Sequence, residues 1–128
     1  MPQALDALVD AAVSGYRRWA HGSPVMLVHA ATAPRAAALA LPSLPTRLWR
    51  PTYETAWAVT AAITSAYRPH DAGAAPAPVA APDADEVVDR AVATRDEHAI
   101  KFVEVARESH ERGNPDALTA GQRAADLL

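Results

Sequence analysis

Apolar residues recur along this chain at the spacing of helices, and nowhere do they alternate for long enough to build a sheet. From Ala4 to Ala20, Leu5, Leu8, Val9, Ala12, Val13, Tyr16 and Trp19 fall on one face, and His21-Gly22 ends the run. Ser23 followed by Pro24 reads as the N-cap and first residue of a second, more uniformly apolar helix beginning with Val25 to Ala31. Proline inside a helix removes a donor and crowds the preceding turn, so Thr32-Ala33-Pro34 predicts a kink or break, with a helix restarting through Leu41. Pro42-Ser43-Leu44-Pro45 predicts a turn, and Pro51 opens a third helix to about Tyr67.

Pro69 to Pro82 alternates Ala and Pro with a single Gly and reads as a semi-rigid, solvated connector. Beyond it, Asp83 or Asp85 starts what the pattern makes the longest helix, running to Arg112 before Gly113 stops it. Asn114-Pro115 then caps a short last helix. The expected fold class is all-α, a bundle-like array of about five helices forming a single helical domain over residues 1–128.

On a wheel of about 100° per residue, the fourth helix places Val88, Ala91, Val92, Ala99, Phe102, Val103 and Ala106 on one arc facing the core. His98 lies at the edge of that arc and Lys101 just beyond it, three residues apart and therefore neighbours, both leaning inward. Arg95 sits near the middle of the arc, where it should meet a carboxylate or end at a cavity. Glu97 and Glu104 point to solvent. Spacing alone leaves His98 open between a core histidine bonded to a backbone group and a ligand.

At 128 residues the chain has room for one modest core, and with aromatics at only 5% of residues that core must come from closely approaching alanine-rich helices. The net charge of −3, with scattered Lys and Arg, excludes a basic stripe for nucleic acid. Lack of cysteine removes disulfides, thiolate metal sites and cysteine nucleophiles. The apolar stretch from Val25 to Leu41 is interrupted by His29, Pro34 and Arg35, so no membrane association is expected and a cytoplasmic location follows. No glycine-rich nucleotide motif is present, so NADPH would have to be bound elsewhere or not required.

Two segments carry a resemblance. Val25-Met26-Leu27-Val28-His29-Ala30-Ala31-Thr32-Ala33-Pro34-Arg35-Ala36-Ala37 and Asp96-Glu97-His98-Ala99-Ile100-Lys101, in this order and with Trp57 and the connector between them, resemble the C-terminal part of questin-oxidase-like proteins. Ala31 departs from the pattern, which usually has a bulkier apolar residue there. The resemblance implies an oxidoreductase of secondary metabolism that oxygenates or ring-opens a polycyclic, anthraquinone-like aromatic substrate.

Some members are non-haem iron oxygenases whose metal is held by histidines and a carboxylated lysine, so the implied ligands are His29, His98 and Lys101. A buried lysine loses its proton readily and can then add carbon dioxide to give a metal-binding carbamate. The family's remaining histidines lie in an N-terminal region without counterpart here. The resemblance therefore implies a chain inactive alone, either a fragment of a longer frame or half of an enzyme completed by a companion chain. The alternative is a non-catalytic helical interaction module or subunit. His21, His70 and His110 read as surface residues, and Trp49, Tyr53 and Trp57 as core packing before a flat aromatic pocket.

Overall fold

The computed structural model describes residues 1–71 and 82–128, so the central part of the expected connector lies outside the described residues. It is all-helical. The described residues form six α-helices, in order α1 Pro2–Trp19, α2 Pro24–Ala40, α3 Trp49–Tyr67, α4 Ala84–Thr94, α5 Glu97–Glu111 and α6 Ala117–Leu127. Single 3₁₀ turns at Ala20–Gly22, Leu41–Ser43 and Thr46–Leu48 link the first three, and the described residues contain no strand.

The helices pack as a stack in which α3 lies against α2, α1 and α2 both meet α5, and α6 joins α1 and α5 to α4. Val9, Val13 and Tyr16 of α1 meet Leu27, Val28 and Ala31 of α2, Phe102 and Ala106 of α5, and Ala120 and Ala124 of α6 in the main core. Tyr16 and Phe102 are its largest members, with ring centroids 4.2 Å apart. Alanines elsewhere at the contacts let backbones approach closely, which a chain this short of aromatics requires. Gly121 continues that logic, since a Cβ there would lie 3.0 Å from Val87 Cγ1 on α4.

Ser23 caps α2 as expected, its Oγ accepting from the Met26 N–H at 3.3 Å. The helix does not break at Thr32-Ala33-Pro34, however, and runs through to Ala40 with Pro34 buried. Lacking an N–H, Pro34 leaves the Ala30 carbonyl without its helical donor. The hydroxyl of Thr60, buried on α3, donates to that carbonyl at 3.0 Å. A tertiary hydrogen bond thus replaces the missing local one. By length and composition Pro24–Ser43 would suffice to cross a membrane; here α2 packs against α1, α3 and α5, and Arg35 on its flank forms a two-pronged ion pair with Glu108 of α5.

The expected single helix to Arg112 is two helices. Arg95 adopts a left-handed conformation, φ 58°, and ends α4, while Asp96 turns back to extended backbone and caps α5. The wheel drawn across this junction therefore fails on one side of it. Val92, assigned to the core arc, is 56% exposed, and Arg95 is exposed and forms no ion pair among the described residues, because the break rotates α4 relative to α5. Ala99, Phe102, Val103 and Ala106 are buried as the pattern predicts.

Gly113, φ 98°, ends the α5 region, and α6 starts at Ala117 after Asp116. The N-cap position of α6 is Asp116 and not Asn114, whose side chain instead links the turn to α1. Its Nδ2 donates to the Asp10 carbonyl at 3.2 Å and to Ser109 Oγ at 2.9 Å, and its Oδ1 accepts from Ser14 Oγ at 3.2 Å and from the Asp116 N–H at 3.0 Å. Ser109 and Arg112 both donate to Asp10. One asparagine side chain thereby ties the α5–α6 turn to the middle of α1.

Candidate functional site

The α4–α5 junction sets the geometry of the Asp96–Lys101 run. Thr94 Oγ1 donates to the Ala91 carbonyl at 2.7 Å and accepts from the Asp96 N–H at 3.0 Å, stitching the end of one helix to the start of the next. Asp96 Oδ1 accepts from the backbone N–H groups of His98 at 2.8 Å and Ala99 at 3.2 Å, two of the donors that a helix start leaves unpaired. Those bonds, the one from His98 foremost, hold the Asp96 carboxyl below its ordinary value.

Held at the second position of α5, His98 points toward α2, where His29 lies opposite. The two rings meet edge to face, with centroids 5.5 Å apart and planes at 88°. Both side chains are half-buried. His98 Nδ1 also lies 3.5 Å from Asp96 Oδ1, too long for a strong hydrogen bond. On the α1 side of this end of the bundle the Tyr16 hydroxyl donates to the Pro24 carbonyl at 3.1 Å. Burial pushes its pKa far up, with Asp96 adding to that shift and Arg123 opposing it.

Lys101 does not join the pair. Its side chain is 61% exposed, and Nζ lies 3.0 Å from Glu97 Oε2 one turn back. The ion pair holds the Glu97 carboxyl below its ordinary value. Burial, the condition that makes a lysine ready to form a carbamate, is absent. Among the described residues no three His, Asp or Glu side chains come together as a metal-binding group. The expectation of non-haem iron bound with a carboxylated Lys101 is therefore corrected: two imidazoles converge, but the anionic third ligand faces water on another side of α5.

His21, His70 and His110 are exposed, and His21 Nδ1 lies 3.1 Å from an Arg123 guanidinium nitrogen. Trp49 and Tyr53 pack against Leu5, Leu41 and Ala56, and Trp49 Nε1 donates to the Leu44 carbonyl at 3.0 Å. Trp57, by contrast, is 54% exposed. An open, mostly apolar groove of about 430 Å³ lies between α2 and α3, bordered by Ala33, Ala37, Leu48, Thr52, Thr55 and Val59. None of the three proposed ligands lines it.

The capping role of Asp96 had a signal in the sequence. Thr94, Asp96 and Glu97 are residue types that favour helix starts, and Asp followed by an acidic residue fits the first turn of a new helix. The continuous apolar arc masked it. Comparison of the chain with protein-family models, with curated proteins and with solved structures gives no match.

Proposed function

We propose that this chain is a helical interaction module or subunit that has no catalytic activity by itself. One observation carries the reading: the Asp96–Lys101 run is engaged in building the start of α5. Asp96 caps it, Glu97 and Lys101 pair across one turn, and only His98 remains free to face another helix. A chemical motif whose charged members are committed to a helix terminus has little left for substrate.

The meeting of His29 and His98 favours a second reading. In it the chain lends two imidazoles, as hydrogen-bonding groups toward carbonyl or hydroxyl oxygens, to an oxidoreductase site for a polycyclic aromatic that an N-terminal region or companion chain completes. This is the form in which the likeness to questin-oxidase-like proteins would keep its functional meaning.

Oxygen uptake with a hydroxylated anthraquinone separates the two, measured on the purified chain and again with the polypeptide encoded upstream. The module reading expects no turnover in either case that depends on His98 or Lys101. It expects Lys101→Ala to change stability by less than about 0.5 kcal/mol, since exposed ion pairs contribute little, and His98→Ala by about 1 kcal/mol. Turnover abolished by His98→Ala, with helicity and unfolding midpoint retained, replaces the first reading with the second.

A further inference from the structure

Helix α3 differs from its neighbours in what it leaves uncovered. Among the described residues it packs on α2 and, at fewer positions, on α1. The opposite side is open to solvent, yet from Thr55 to Tyr67 the chain carries no charged residue. Ala58, Ala62, Ser65 and Ala66 are exposed there, with Val59 at 40% and Trp57 at 54%. The exposed sides of α1, α4 and α5 carry charges instead, among them Arg18, Glu86, Asp89, Glu104 and Arg107. An uncharged, solvent-facing strip around a tryptophan has the composition of a contact surface.

Charges close the strip at both ends, and their order identifies what covers it. Arg50 and Glu54 stand at its start and Arg68 and Asp71 at its end, all four exposed. Along the chain the signs run plus, minus, plus, minus. A second copy laid antiparallel reverses that order, so each charge meets its opposite, Arg50 the Asp71 end and Glu54 the Arg68 end. A parallel copy would set like against like at every one of them.

The same residues give the register. Glu54 and Arg68 lie seven residues either side of Ala61, and Trp57 and Ser65 four either side. Arg50, Glu54, Trp57, Ala61, Ser65 and Arg68 follow one another at steps of three or four, so they form one stripe of the helix. The Arg68 guanidinium stands over the Trp19 ring, 5.1 Å from its centroid, which holds it on that flank while it stays exposed. Glu54 pairs with Arg50, but with side chains 57% and 82% exposed this ion pair contributes little and yields readily to another.

We infer that α3 is a self-association face, on which two copies of this chain pair antiparallel about a two-fold axis at Ala61. Small side chains at Ala58, Ala61 and Ala62 let the two backbones approach. Trp57 of each copy is covered beside Ser65 of the other, and Glu54 meets Arg68 at both ends. A two-fold contact uses one patch twice, a condition that the reversed charge order satisfies. The 19 residues of α3 make a face about 28 Å long, which covers less than the ~800 Å² per partner of a standard interface. The dimer is therefore a weak one, dissociating on the order of 100 µM. The inference concerns α3 alone and does not rest on the module reading, which turnover decides and association does not.

Sedimentation velocity of the full chain from about 10 µM to about 1 mM, at low salt, tests it. The average mass is expected to climb toward twice that of the chain. Ala58→Arg, at a position exposed in the monomer, places a charge inside the strip and should weaken association about tenfold or more. Glu54→Arg and Arg68→Glu each set like charges together at both ends and should weaken it by a similar factor. Mixing these two variants, or combining both changes in one chain, restores opposite pairs and should recover most of the affinity. Circular dichroism checks that every variant keeps the helicity of the parent. A monomer at every concentration overturns the proposal and leaves the strip to a different polypeptide. Association indifferent to Ala58→Arg, or a charge-swapped pair that recovers nothing, overturns it as well.

Discussion

Thr60 and Pro34 form a pair whose meaning lies in one carbonyl. With Pro34 unable to donate, Ala30 O has Thr60 Oγ1 as its partner inside the protein. Thr60→Val keeps the shape and removes the donor, which should lower stability by about 1–2 kcal/mol in urea denaturation. In a Pro34→Ala background a backbone N–H is restored to that carbonyl, so the same substitution should cost clearly less. Additive effects in this double-mutant cycle would remove the compensation argument.

Glu108 sets a pH dependence of definite sign. The hydrogen bond from Arg35 holds its carboxyl below the ordinary 4.5. In the unfolded chain that carboxyl takes up a proton first as pH falls. The stabilisation is therefore fully present above about pH 4.5 and is lost as pH drops through the lower folded value. Glu108→Gln should flatten that part of the stability profile, measured as the urea midpoint between about pH 6 and pH 3. A profile as steep as that of the unsubstituted chain would place the acid sensitivity elsewhere.

At the scale of elements, the junction between α4 and α5 is the informative one. Arg95 occupies a left-handed conformation that a side chain disfavours and glycine accepts freely. Arg95→Gly is thus expected to stabilise the chain, by up to about 1 kcal/mol. Asp96→Ala should destabilise it, and Asp96→Asn should recover most of that loss, because the cap needs an oxygen acceptor more than a charge. Thermal unfolding of the three variants checks both. A destabilised Arg95→Gly would argue that the two helices are continuous, as the apolar arc by itself suggests. The same junction explains why His98 and Lys101 part company: their spacing of three was legible, but a helix beginning at Glu97 is aimed by its cap and by the packing of Ala99 and Phe102, and that direction sends Lys101 to water.

Across the whole molecule, Asn114 joins the last third of the chain to the first. Asn114→Ala would leave the Asp10 carbonyl, Ser14 and Ser109 short of partners at once, and a loss of about 2–3 kcal/mol is expected. Asn114→Asp should fare little better, since it exchanges two donors for a carboxylate beside Asp10. Chemical denaturation decides, and a change under about 0.5 kcal/mol would mean that the network forms without holding α1 to α5 and α6.

Helix existence was carried by the sequence alone: apolar spacing, the Ser23-Pro24 start and Gly113 each act over one or two turns, so their physics is local and the chain order contains it, while α3 begins at Trp49, two residues before the Pro51 expected to open it. The all-α class and the burial of Leu5, Val13, Phe102 and Ala106 follow from that same periodicity. Tertiary structure alone decided what depends on atoms distant in the chain. Thr60 reaching Ala30 keeps α2 running where a local rule predicts interruption, and His29 meets His98 because α2 and α5 pack face to face. The exposure of Lys101 belongs to the same class. No spacing along the chain specifies which side of a capped helix meets water, or which helix will supply a donor to a carbonyl that proline has left without one.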